Sequence, residues 1–145
     1  MALSSVARVA LILAAFLSLC PGLHELRETG IELTLAGEHG LSGRLLVLAT
    51  AVLVAPIAEE LLFRGVLLPG LAQHMKPSFA LVASASVFAL FHIPSHGIAA
   101  VLPGVLGLAF GWARLRTGGL RVPIALHVAN NLLVTLLTWT GGSGA

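Results

Sequence analysis

Ala58-Glu59-Glu60-Leu61-Leu62-Phe63-Arg64-Gly65 sets two adjacent carboxylates and an arginine inside an apolar run that extends from Leu45 to Leu68. Charge that faces lipid or an apolar core is strongly unfavourable, so these side chains must face something polar. On a helix, Glu60 and Arg64 stand four residues apart on one face and can pair. Glu59 is rotated from that pair by about a third of a turn and lies outside it, which makes it a candidate for chemistry.

The rest of the composition places this run in a bilayer. Of 145 residues, 57% are hydrophobic and only 10% charged, and the mean hydropathy is +1.00. The length fits one domain, 1–145, but a soluble domain of that size needs a larger charged surface. The charges gather instead in short breaks between apolar segments. A net charge of +2, from eight Lys and Arg against six Glu, is too slight and scattered for a nucleic-acid partner. The single cysteine, Cys20, excludes an intrachain disulfide and a cysteine-based structural metal site.

Outward from the central run, the pattern predicts an all-α, polytopic membrane bundle of about five transmembrane helices. Arg8 and the apolar stretch Val9 to Cys20, closed by Pro21-Gly22, read as a first helix within 1–20 that is retained, because no good small-x-small cleavage site precedes Pro21. Gly22 to Gly43 holds Glu25, Glu28, Glu32 and Glu38 with His24, Arg27 and His39, and reads as an interfacial connector. The second helix is expected from about Ser42 to Leu68, stopped by Pro69-Gly70. The third starts near Pro77-Ser78 and runs to Ile93, where Pro94 disfavours continuation. From Ser78 to His92 the rise is about 22 Å, short of a ~30 Å hydrocarbon core.

A fourth helix, about Ile98 to Leu115, aligns Gly104, Gly107 and Gly111 as a seam for close helix packing. A basic loop with Arg114, Arg116 and Arg121, which reads as a topology marker meeting anionic membrane lipid, leads to a fifth helix, about Val122 to Trp139, and 141–145 reads as a disordered tail. Residues 42–140 then form the core. Trp112 and Trp139 suit interfacial anchors, and Arg8, Lys76, Arg114, Arg116 and Arg121 on one side against Arg27 and Arg44 on the other place the N-terminus in the cytoplasm.

Three apolar helices thus carry polar residues: Glu59, Glu60 and Arg64; His92; and His127 with Asn131, which share a face. Phe88, four before His92, places an aromatic under that imidazole. Ionisable residues on separate membrane helices can converge in a bundle interior. One chemistry for this set is peptide hydrolysis, in which Glu59, helped by His92, activates a water while His127 and Asn131 donate to the developing oxyanion. Glu60 and Arg64 would hold the helix register. A second version places a metal, zinc by donor type, on Glu59, His92 and His127. Both versions use the same residues. His96 reads as a turn or cavity-mouth residue outside this set, His74 as a loop residue, and Asn130 as interhelical glue.

Glu-Glu-x-x-x-Arg, then Phe-x-x-x-His, then His-x-x-x-Asn resemble the three motifs of the CPBP intramembrane proteases, the family of the type II CAAX prenyl endopeptidases and their abortive-infection or bacteriocin-processing relatives. The segment Gly111 to Leu120 is similar to that family's approach to its last motif, and the likeness covers about Ala51 to Asn131. The resemblance implies a multi-pass endopeptidase of the cell membrane acting on a membrane-associated peptide or protein, with Glu59 and His92 as the water-activating pair and His127 with Asn131 at the oxyanion. Two other classes use the same buried residues: an ion or proton transporter, and a non-catalytic scaffold or bacteriocin-immunity protein. A Glu59→Gln variant separates all three by its effects on cleavage, flux and phenotype.

Overall fold

The computed structural model describes residues 41–141, and every regular element among them is helical. The expected first helix within 1–20, almost all of the connector and residues 142–145 lie outside the described residues. Four helices remain. Helix α1 covers 41–72, α2 is Pro77–His96, α3 is Val101–Thr117 and α4 is Arg121–Gly141, with a tight 3₁₀ turn at Gly97–Ala100 between α2 and α3. Five membrane-spanning helices are therefore not seen among these residues. By length and composition, the bent run Pro77–Thr117 suffices to cross a membrane, and Arg121–Leu137 is a shorter apolar helix.

Helix α1 does not stop at Pro69-Gly70 but continues to Ala72. A proline lacks the N–H that an α-helix needs, and its ring crowds the carbonyl four residues back. Here each proline of α1 follows a widened π stretch: Pro56 comes after Thr50–Val54, and Pro69 after Leu61–Leu67. The Ala55 amide bonds Thr50 O and the Leu68 amide bonds Phe63 O, each five residues back. The wider turn accommodates the ring without breaking the rod, and π turns of this kind gather at functional sites.

Helix α2 begins with Pro77 at its first turn, as expected, but runs through Pro94 to His96. Only one amide is missing there, and the Ser95 hydroxyl donates to His92 O at 3.1 Å. Its 20 residues rise about 30 Å, enough for a hydrocarbon core, so the short helix anticipated from Pro94 is not observed. The reversal comes at Gly97, whose φ of 53° suits glycine.

The glycine seam packs as its spacing predicts. A Cβ at Gly111 would meet Leu81, one at Gly107 would meet Ala85 and Phe88, and one at Gly104 would meet Ala89. Backward steps of four along α2 match steps of three or four along α3, so the two helices form a close antiparallel hairpin. Leu62, Phe63, Leu67 and Phe88 form the apolar core beside it. Outside, Leu53, Ile57, Phe79, Leu90, Val105, Leu133 and many other large apolar side chains are exposed, while Glu60, Arg64 and His127 are buried. Polar inside and apolar outside is the arrangement a bilayer favours.

Candidate active site

The site grows from α1 upward. Glu60 lies at the end of an α-helical segment and Arg64 within the following π stretch, and their side chains pair, Arg64 Nη1 donating to Glu60 Oε1 at 2.8 Å. Both are almost fully buried, at 0% and 1% exposure. Arg64 Nη2 donates to Gly107 O at 3.0 Å. The guanidinium carbon lies 4.5 Å from the Phe88 ring centre and 5.5 Å from that of Phe110. A buried cation is tolerable only with such bonds and aromatic faces around it. The Arg64 carbonyl, freed from α-helical pairing by the π stretch, accepts from Arg114 Nε at 3.2 Å.

From α4, His127 enters the same cluster. Its Nδ1 lies 2.9 Å from Glu60 Oε1, the oxygen that Arg64 also uses. A carboxylate oxygen that accepts from an arginine can only accept again, so Nδ1 carries the hydrogen and Nε2 points onward. That Nε2 is 3.7 Å from Glu59 Oε2. Phe110 stacks on the imidazole, ring centres 4.9 Å apart.

From α2, His92 is fixed in the same manner. Its Nδ1 donates to Phe88 O at 2.8 Å, because a carbonyl has no proton to give. Its Nε2 lies 4.0 Å from Glu59 Oε2. The Phe88 ring packs against the imidazole at 4.5 Å between centres, as the four-residue spacing predicts. Glu59 and His92 are buried as well.

The fold therefore brings Glu59, Glu60, Arg64, His92 and His127 together from three helices. Asn131, one turn beyond His127, turns to the backbone: its Nδ2 donates to Ala51 O at 3.0 Å, tying α4 to the first π stretch of α1. Its Oδ1 accepts from Asn130 at 3.3 Å. A primary amide nitrogen has two hydrogens, so this bond occupies half of its donor capacity.

The three donors, Glu59, His92 and His127, are spread a little wider than in a tetrahedral zinc site. Tetrahedral zinc with bonds of about 2.05 Å holds its donors roughly 3.4 Å apart. Both imidazole Nε2 atoms stand farther than that from Glu59 Oε2, and among the described residues no trio of His, Cys, Asp or Glu is disposed to hold an ion.

Phe110, Arg114, Ser84 and the Gly107 carbonyl escaped the sequence reading. Phe110 had a signal, since it stands one turn from Gly107 on the seam. Ser84, whose hydroxyl donates to Phe63 O at 3.4 Å, had only its place in an apolar helix. Arg114, expected to mark topology and meet anionic lipid, is half-buried and braces α1.

The sequence profile described as type II CAAX prenyl endopeptidase Rce1-like matches residues 41–133. The chain is 31% identical over 109 residues to uncharacterized protein YyaK of Bacillus subtilis (strain 168), an alignment covering 68% of this chain and 36% of that relative. It thus spans about a third of the length of this relative. No solved structure matches significantly. All five clustered residues, and Asn131, fall inside the matched stretch, and the chain belongs to the Rce1-like type II CAAX prenyl endopeptidase (CPBP) family, whose members are embedded in membranes.

Proposed function

We propose that this chain is an intramembrane endopeptidase that hydrolyses a peptide bond in a membrane-associated protein or peptide, using Glu59 and His92 to activate water. The observation that carries this reading is the convergence on Glu59 Oε2 of two imidazole Nε2 atoms, at 3.7 and 4.0 Å, each oriented through its Nδ1. A water between Glu59 and His92 donates one hydrogen to each, to Glu59 Oε2 and to His92 Nε2.

In this mechanism the water oxygen attacks the scissile carbonyl carbon as its proton passes to Glu59. The carbonyl oxygen gains negative charge and accepts from His127 Nε2–H and from the second hydrogen of Asn131 Nδ2. Donation from His127 Nε2 requires a hydrogen on both ring nitrogens, with the Nδ1 hydrogen held on Glu60 Oε1. The proton on Glu59 moves to the peptide nitrogen, and the C–N bond breaks. Arg64 acts at one remove, by holding Glu60.

The test uses the full chain in liposomes with a library of membrane-anchored peptides. Wild-type cleavage should fall by at least about 10³-fold in Glu59→Gln and in His92→Ala, with protein levels in the membrane unchanged. Retained cleavage in both variants would sink the assignment. A pH-driven ion flux lost in Glu59→Gln, with no peptide cut, would replace it with transport.

A further inference from the structure

One end of the bundle has no part in this chemistry. The α1–α2 connection (73–76) and the α3–α4 connection (118–120) emerge together there, since a Cβ at Gly65 would meet Leu120, and one at Gly111 would meet Leu68 and Leu81. Lys76, Arg116 and Arg121 stand at this end, all exposed. Among the described residues the only carboxylates are Glu59 and Glu60, both buried in the site, so no described acid faces these cations.

The same connections and the helix turns next to them carry exposed apolar side chains: Trp112 is 56% exposed, and Met75, Phe79, Leu115 and Val122 are exposed too. The Arg116 guanidinium carbon sits 5.3 Å from the centre of the Trp112 ring. Stacking on a ring occupies the face of a guanidinium and leaves its edge N–H donors for an anion. A soluble anion would use the cations alone, whereas an amphiphile with a phosphate head and acyl chains uses the cations and these apolar side chains together.

We propose that this end is a seat for anionic phospholipid, with the headgroup phosphate held by Arg116 and Arg121, Lys76 adding to the field, and the Trp112 indole lying at the level of the glycerol backbone. The claim does not depend on the peptidase reading, and its test needs no substrate.

The chain has two tryptophans. Trp139→Phe leaves Trp112 as the sole fluorophore in the full chain, reconstituted in bilayers carrying equal mole fractions of acyl-brominated phosphatidylglycerol or acyl-brominated phosphatidylcholine. The anionic quencher is expected to quench Trp112 at least about twofold more strongly, reflecting local enrichment. Arg116→Gln with Arg121→Gln should erase that difference, and Arg116→Lys with Arg121→Lys should keep most of it. Inorganic phosphate in the buffer should leave the preference intact. Equal quenching by the two lipids overturns the proposal, including the case in which glutamates of 22–40 already engage these arginines. So does a preference that survives the double glutamine variant or vanishes with soluble phosphate.

Discussion

Replacing Glu60 by glutamine keeps the side-chain shape and removes the charge on which Arg64 and His127 both rely. Breaking one partner of a buried ion pair leaves the other charge stranded, a loss of about 3–5 kcal/mol. Glu60→Gln and Arg64→Ala should therefore both lower the thermal midpoint of the detergent-solubilised protein. Glu59→Gln should leave it nearly unchanged while removing activity. A midpoint for Glu60→Gln equal to that of wild type would refute the structural role assigned to the pair. The donors around Glu59 Oε2 stand wider apart than in tetrahedral zinc, and the proposed Glu59–His92 pair activates water without a metal, so dialysis against a chelator should leave peptide cleavage intact. Loss of cleavage restored by added zinc would contradict this.

Among the elements, the α2–α3 hairpin most directly positions the site, because Gly107 serves it twice. Its missing side chain admits Phe88 and Ala85, and its carbonyl receives Arg64. Gly107→Leu should force the helices apart, at about 1–3 kcal/mol for overpacking, and withdraw the acceptor from Arg64 as well. Lower yield of folded protein by size-exclusion chromatography, together with reduced cleavage per folded molecule, is the expected result. Wild-type yield and activity would mean that the seam has slack. The hairpin was legible in the sequence because glycines spaced by three and four define one helix face. The π stretches were not. A widened turn has no residue signature of its own, and Pro69-Gly70 and Pro94 read as stops, whereas α1 passes Pro69 after a π stretch and α2 carries Pro94 inside its last turn.

For the whole molecule, charges inside apolar helices have so few physical explanations that Glu59, Glu60, Arg64, His92 and His127 stood out from composition and spacing alone. What completes their surroundings was hidden for an equally physical reason: the carbonyls of Gly107, Arg64 and Ala51 are present at every residue, and only the fold selects them. Orientation in the bilayer follows from the basic connections, which we propose face the cytoplasm. In a Cys20→Ser background, a cysteine at position 119 should react with a membrane-impermeant maleimide in inside-out vesicles and stay unlabelled in intact cells. The reverse pattern would invert the topology.

A single oxygen atom, Oε1 of Glu60, receives donors from two different helices, one of them its own. Aspartate, one methylene shorter, could not reach both, and glutamine would keep the acceptor oxygen but lose its charge. Positions 60, 64 and 127 should therefore behave as one coupled unit, so that replacing 60 and 64 together costs less stability than the sum of the two single replacements.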